Sequence, residues 1–234
     1  MDKPVSILIP TRFNNRYLLE LCILTIKKYT EQPYEIIVGN AGADKEALEY
    51  LKNQTGVKTI SCPDSIRPKD YLARNVSTPY FLFLHDDAQI LKAGWLKRRV
   101  DLMEKNKNTG IVGVLSTNYK YGLNKFLPHS VIEKRLFPFA MLVRKSTQDE
   151  LDLFWGIVKG FDTGGLAYLQ FIKQKKWKFV SCRFDKEIRH WGQMTWVIKE
   201  RTKEELRLLN YSFLKEERDR KLSLIRNLIK SGNY

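Results

Sequence analysis

Long apolar segments are missing from this sequence of 234 residues, because no run reaches the roughly 20 apolar residues that a membrane-spanning helix requires. No transmembrane helix is therefore expected. The N-terminal residues 1–4 lead directly into a strand-like segment and lack a signal-peptide pattern. Cysteine is scarce, and Cys22, Cys62 and Cys182 lack the spacing of a metal site. These absences predict a cytoplasmic protein with reduced thiols, either free or peripheral at the inner face of the membrane.

Acidic residues are outnumbered by basic ones. The chain has 26 Asp and Glu residues against 41 Lys and Arg residues, a net charge of +15 and a pI near 9.7. Such a charge attracts nucleic acid, anionic membrane surfaces and phosphorylated small molecules. No zinc-finger, RNP-type or basic-zipper pattern accompanies the basic residues, so specific recognition of nucleic acid is not expected. Peripheral contact with an anionic membrane stays open.

Strands and helices alternate through the first half of the chain. Continuous apolar runs indicate strands, and apolar residues at helical spacing indicate the helices between them. The predicted strands are residues 5–9, 35–38, 57–61 and 80–84, and the predicted helices are 18–29, 45–53 and 69–76. Asp44 is expected to cap the second helix. Because the strands are apolar on both faces, the pattern predicts an α/β fold with a parallel sheet covered by helices.

The second half continues with less regular spacing. It predicts helices at 94–105 and 166–175, strands at 111–115, 137–143 and 178–180, and a loop at 118–133. The tail at 202–230 carries an apolar stripe among many charges, which fits a helix packed on the body, a basic helix at a membrane surface or an oligomer contact. We expect one domain at 1–198 and a C-terminal helical extension at 199–234.

Polar clusters follow three of the predicted strands. They are Thr11-Arg12, Asn40 and the triplet His85-Asp86-Asp87. In open α/β sheets, ligands bind beyond the carboxyl ends of the strands. Two carboxylates and an imidazole are costly to bury, whereas a divalent cation accepts carboxylate, water and phosphate oxygens. The triplet therefore predicts a metal-dependent site that handles phosphates.

Several motifs occur in a fixed order between residues 4 and 196. They are Ser-Ile-Leu-Ile-Pro-Thr-Arg-Phe-Asn at 6–14, Glu-Ile-Ile-Val-Gly-Asn at 35–40, Ala-Arg-Asn at 73–75, Phe-Leu-His-Asp-Asp-Ala at 83–88 with Gly-Trp-Leu at 94–96, a strand at 138–144, Gly-Phe-Asp-Thr at 160–163 and His-Trp-Gly-Gln-Met-Thr at 190–195. In this order they resemble the family 2 glycosyltransferases of GT-A fold. The segment at 83–88 is similar to that family's strand and DxD motif.

The resemblance implies a GT-A, Rossmann-like, mostly parallel central sheet flanked by helices, and a metal-dependent, inverting transfer of a sugar to an acceptor hydroxyl. Residues 1–115 would bind the nucleoside diphosphate sugar, with a UDP-sugar favoured, and residues 116–198 would face a glycan, lipid-linked or protein-linked acceptor. Asp87 and His190 are the expected ligands of Mn²⁺ or Mg²⁺, and Asp162 is the expected general base. The residues expected to line the nucleotide-sugar pocket are Pro10, Thr11, Arg12, Asn40, Lys69, Arg74, His85 and Asp86.

Two alternative functions stay open. A nucleotidyltransferase also combines a nucleotide-binding sheet with metal-binding carboxylates, but residues 11–16 lack the glycines of a phosphate-cradling loop. A GT-A-like binding protein without catalysis is the other alternative, because Gly39, His85 and Phe161 stand where the family has acidic residues.

Overall fold

The structure is a computed structural model that describes residues 4–12, 16–116, 135–155, 165–182, 187–191 and 211–234. Its first half alternates as predicted. The elements are β1 (Val5–Thr11), α1 (Arg16–Tyr29), β2 (Tyr34–Asn40), α2 (Lys45–Lys52), β3 (Val57–Ser61), α3 (Pro68–Asn75) and β4 (Tyr80–Leu84). Asp44 caps α2 as predicted, because its side chain accepts a hydrogen bond from the backbone N–H of Ala47.

The second half contains the predicted elements and three further ones. Its elements are β5 (Ala88–Ile90), α4 (Trp95–Glu104), β6 (Thr109–Ser116), β7 (Arg135–Arg144), α5 (Lys145–Leu151), α6 (Gly165–Ile172), β8 (Lys178–Ser181), β9 (Ile188–His190) and α7 (Tyr211–Ser231). The sequence did not predict β5, α5 or β9. Strands of three residues are too short to show a hydrophobic period, and α5 is mostly polar. The predicted loop at 118–133 lies outside the described residues.

A seven-stranded sheet forms the centre of the fold, in the order β3-β2-β1-β4-β7-β6-β8. Parallel pairs join β1 to β2, β1 to β4, β2 to β3 and β6 to β8. Strand β7 runs antiparallel to both β4 and β6. The sheet is therefore mostly parallel, as predicted, and the carboxyl ends of β1, β2 and β4 lie at one edge.

Strand β4 lies in the middle of the core, and all five of its residues are fully buried. Leu82 and Leu84 pack on the side of the sheet that α1 covers, and Phe81 and Phe83 pack on the opposite side with Leu72 of α3. Burying a side chain of this size stabilises the fold by about 1.5–3 kcal/mol. Because both faces are covered, the strand is apolar throughout rather than alternating.

Helix α7 packs against α1. Leu222 and Ile225 are buried and contact Leu18 and Leu21. For residues 211–231 the structure therefore shows a helix packed on the body, which is one of the three alternatives that the sequence left open. Among the helices in the described ranges, none is both long and apolar enough to cross a membrane.

Candidate active site

Three neighbouring strand ends bring the predicted polar clusters to one edge of the sheet. Strands β1 and β2 stay paired up to Thr11 and Asn40. Strand β4 pairs with the other side of β1 and is followed directly by His85, Asp86 and Asp87. Thr11 is fully buried, and the two carboxylates are 7% and 5% exposed. The polar groups at this edge are therefore largely shielded from water.

Two distant segments of the chain meet at this edge. His85 Nδ1 lies 3.4 Å from His190 Nε2, although the two residues are 105 positions apart. His190 Nε2 lies 2.9 Å from Asp87 Oδ1. One ligand atom from each of the three residues lies within 4.8 Å of the other two. Among the described residues, this is the only group of three side chains that could together hold a metal ion. We call it the His–Asp–His cluster.

A small antiparallel sheet carries His190 to Asp87. Strands β5 and β9 pair so that Ala88 lies opposite His190. The backbone N–H of Trp191 then donates a hydrogen bond to the Asp87 carbonyl at 3.0 Å. Backbone pairing at His190 and at the next residue, Trp191, therefore fixes the position of His190.

Glu187 anchors the start of β9 to α4. Its carboxylate accepts hydrogen bonds from Arg98 and, at 2.8 Å, from Arg99. Arg99 is 1% exposed, and its guanidinium also donates to the carbonyl of Trp95. Removing one partner of a buried ion pair leaves an uncompensated charge and is strongly destabilising. The pair therefore holds the strand that presents His190.

The two adjacent carboxylates have pKa values shifted in opposite directions. Desolvation, followed by the negative charge of Asp87, raises the pKa of Asp86 to about 8, while the nearby Thr11 hydroxyl acts in the opposite direction. Desolvation also raises the pKa of Asp87, but the hydrogen bond with His190 and the charge of His190 outweigh it. The pKa of Asp87 therefore lies below its ordinary value. The two neighbouring carboxyl groups therefore differ in their tendency to hold a proton.

His85 is held in its neutral form. Desolvation, with a further contribution from the ammonium group of Lys69, lowers the pKa of His85 to about 3, although the charge of Asp87 opposes this. Lys69 is 8% exposed, and its Nζ lies 3.3 Å from His85 Nε2. A neutral imidazole is the form that binds a metal ion.

The residues at this edge fit a divalent cation. Asp86 Oδ2 is buried without a hydrogen-bond partner among the described residues. Buried polar atoms are normally satisfied, so such an atom next to Asp87 of the His–Asp–His cluster suggests a bound ion with its waters. One carboxylate and two imidazoles are donors that divalent transition metals accept.

Three further residues that the sequence places in the nucleotide-sugar pocket lie at the ends of β1 and β2. Pro10 and Arg12 flank Thr11 at the end of β1. Asn40 uses its side-chain oxygen to accept hydrogen bonds from two backbone N–H groups of the following turn, at 3.1 and 2.9 Å. That turn orders the end of β2, and contact of Asn40 with a nucleotide stays a prediction.

Arg74 is not brought into the cluster. It lies in the last turn of α3 and pairs with Asp152 at 3.0 Å, where both side chains are more than half exposed. Its contact with a diphosphate stays a prediction. Asp162, the predicted general base, lies outside the described residues, as does the whole segment at 160–163.

Gly39 faces the core rather than the edge of the sheet. A Cβ atom at this position would lie 2.6 Å from Leu72 Cδ1 and 3.1 Å from Cys62 Sγ. Real Cβ atoms essentially never approach another heavy atom within 3.0 Å. The close packing of α3 on β2 therefore accounts for the glycine at this position.

Sequence reasoning expected Asp87 and His190 on one metal ion, and the structure brings these two residues together. It placed His85 in the nucleotide pocket rather than beside His190. It also missed the ion pair between Arg99 and Glu187. Nothing local in the sequence indicates that ion pair, because Glu187 directly precedes β9, whose three residues show no pattern of their own.

The comparison with known families defines the class of this protein. The chain matches the family model "Glycosyl transferase family 2" over residues 6–171, which is more than half of its length. The chain therefore belongs to glycosyl transferase family 2. No curated protein matches the chain in sequence.

Solved structures similar to this one have the GT-A fold. TarS 1-349 from S. aureus matches with a TM-score of 0.57 and 12% identity, over 83% of this chain and 62% of that chain. The mannosyltransferase PcManGT from Pyrobaculum calidifontis matches with a TM-score of 0.59 and 11% identity, over 100% of this chain and 76% of that chain. In the TarS comparison the chain thus spans less than two thirds of the other chain's length. At these identities the likeness concerns the fold alone.

Proposed function

We propose that this protein is a metal-dependent, inverting glycosyltransferase that moves a sugar from a nucleoside diphosphate sugar to a hydroxyl of a glycan, lipid-linked or protein-linked acceptor. The observation that carries the proposal is the His–Asp–His cluster, which lies at the carboxyl edge of the sheet in a family 2 chain. A divalent cation, Mn²⁺ or Mg²⁺, supplies a Lewis acid that neutralises the charge growing on the diphosphate leaving group.

Each residue of the site has its own proposed role in sugar transfer. Asp87 and His190 hold the cation. Asp86, beside Thr11, accepts a hydrogen bond from the ribose or from a water, and Lys69 adds positive charge for the diphosphate. Asp162 takes the proton of the acceptor hydroxyl, as an inverting mechanism requires. In this division residues 1–115 bind the donor and residues 116–198 bind the acceptor.

The donor is a nucleoside diphosphate sugar, with a UDP-sugar as the first choice. Two similar structures motivate this, since PcManGT was solved with GDP-Man and Mn²⁺ and TarS 1-349 with UDP-GlcNAc. The net charge of +15 suits an anionic donor. The same charge suits peripheral contact of a cytoplasmic enzyme with an anionic membrane that carries a lipid-linked acceptor.

Substitution of Asp87 tests the proposal. Asp87→Ala should abolish turnover of the nucleotide sugar, because it removes the one carboxylate of the His–Asp–His cluster. Asp101→Ala is the matched control, since Asp101 is an exposed carboxylate on α4 that pairs with Lys97. Undiminished transfer by Asp87→Ala, measured as release of the nucleoside diphosphate, would refute the assignment.

A thermal-shift screen of nucleoside diphosphates, with and without Mn²⁺, identifies the donor base and tests the alternative of a binding protein. A ligand at 100 times its Kd stabilises the folded state by about 2.7 kcal/mol. We expect UDP to raise the melting temperature only with Mn²⁺, in the wild type and in Asp101→Ala but not in Asp87→Ala. Failure of every diphosphate, with salt-sensitive binding of RNA or DNA instead, would favour the binding protein.

A further inference from the structure

His85 stands in the position of an acidic residue, and its ring is directed into the His–Asp–His cluster. Its Nδ1 lies 3.4 Å from His190 Nε2, which in turn lies 2.9 Å from Asp87 Oδ1. A metal ion with bonds of about 2.1 Å to nitrogen and oxygen holds neighbouring ligand atoms roughly 3.0–3.4 Å apart. These two distances therefore already match the spacing of neighbouring ligand atoms on one ion, and the ligand atoms of His85 and Asp87 lie within 4.8 Å of each other.

We propose that His85 is a third protein ligand of the cation, and that the resulting set of two imidazoles and one carboxylate selects a transition metal such as Mn²⁺ over Mg²⁺. This inference rests on the proposed function and identifies the metal class of the same site. It changes the role of His85 from a contact of the nucleotide to a ligand that determines metal specificity.

Ligand chemistry gives the expected order of metals. Mg²⁺ strongly prefers oxygen and gives up its waters reluctantly, so two imidazoles suit it poorly. Affinity for a site with nitrogen ligands rises from Mn²⁺ through Co²⁺ to Ni²⁺, and imidazole also suits Zn²⁺. We therefore expect Mg²⁺ to bind most weakly of these ions and Mn²⁺ to bind more weakly than Co²⁺ or Zn²⁺.

Substitution of Lys69 gives a second, independent test of the proposed ligand. A neutral imidazole that coordinates through Nδ1 carries its proton on Nε2, and this nitrogen lies 3.3 Å from the Lys69 ammonium group. Lys69 cannot donate a hydrogen bond to a protonated nitrogen, and its charge repels the incoming cation. Lys69→Met should therefore bind Mn²⁺ more tightly than the wild type does, whereas loss of His85 should weaken binding.

Calorimetric titration of Mn²⁺ and Mg²⁺ into the full chain, without any sugar donor, tests the proposal. Groups that support a metal ligand typically change affinity by about 10–100-fold, so a direct ligand should change it at least as much. We expect the wild type to prefer Mn²⁺, and His85→Asp to lower the ratio of Mn²⁺ to Mg²⁺ affinity by at least about tenfold. An unchanged ratio in His85→Asp, or a wild type that does not distinguish the ions, would overturn the inference.

Pulsed electron paramagnetic resonance of Mn²⁺ bound to the wild type gives a readout that does not depend on the folding of a variant. Coupling to nitrogen from two coordinated imidazoles is expected, and coupling to one or none would overturn the inference. Because neither measurement uses a donor, the two proposals can fail separately. Two bound imidazoles without sugar transfer would refute the proposed function alone, whereas transfer by a chain whose Mn²⁺ carries one imidazole would refute this inference alone.

Discussion

The packing of α7 on the body can be measured by shortening one buried side chain. Ile225 is fully buried against Leu18, Leu21 and Leu222. Ile225→Ala removes three carbon atoms, at about 0.8 kcal/mol each, and leaves a cavity that adds to this loss. We expect a decrease of about 3 kcal/mol in the free energy of unfolding. In a chain of this size that corresponds to a melting temperature lower by about 6–12 °C.

Urea denaturation followed by tryptophan fluorescence measures the effect, with Leu224→Ala as the matched control. Leu224 lies on the same helix but is 46% exposed, so its substitution should change stability by no more than about 0.5 kcal/mol. The packing of α7 also supports the segment that carries His190 of the His–Asp–His cluster. Trp191, which follows His190, packs against the same apolar cluster, and Lys221 Nζ donates to its carbonyl at 3.3 Å.

Ile225→Ala should therefore weaken Mn²⁺ binding as well as stability, and Leu224→Ala should change neither. Equal stability of the two variants would show that the buried contact between α7 and α1 is absent in solution. That result would return the tail to the alternatives of a membrane-surface helix or an oligomer contact.

Two further predictions concern the core and the carboxylates. Gly39→Asp should lower the free energy of unfolding by about 1–3 kcal/mol or more, because the new side chain would overlap Leu72. Wild-type stability of that variant in thermal denaturation would show that the core rearranges to accept the side chain. For Asp86, a folded-state pKa of about 8 lies above the value of about 3.9 expected in the unfolded chain. The metal-free protein should therefore lose stability as the pH rises from about 4 to about 8, at up to about 1.4 kcal/mol per pH unit. Asp86→Asn should flatten this dependence in urea titrations with a chelator, and an unchanged slope would contradict the assignment.

Local signals in the sequence were strong enough to predict the sheet and the edge that carries the site. Strands such as β4, covered on both faces, need a continuous apolar run, and the helices between them need an apolar stripe. Since parallel strands end at a common edge, the polar residues after β1, β2 and β4 had to lie near one another. The order of motifs then led to the family, which the family model confirms.

Element ends and short elements were less predictable, for a physical reason. Strands β5 and β9 have three residues each and are stable only because they pair with each other. A segment of that length has no hydrophobic period, so nothing local predicts the pairing. The same holds for the buried pair of Arg99 and Glu187, which 88 positions separate along the chain.

The sequence by itself determined the class of fold, the family and the presence of a histidine and two carboxylates at the edge of the sheet. Only the tertiary structure decided that the His85 ring lies beside that of His190, that the pKa of Asp86 is raised while that of Asp87 is lowered, and that Gly39 serves packing. Each of these depends on distances between segments far apart in the chain and on exclusion of water from the site. Local propensity encodes neither, because both arise only when the two halves of the chain pack together.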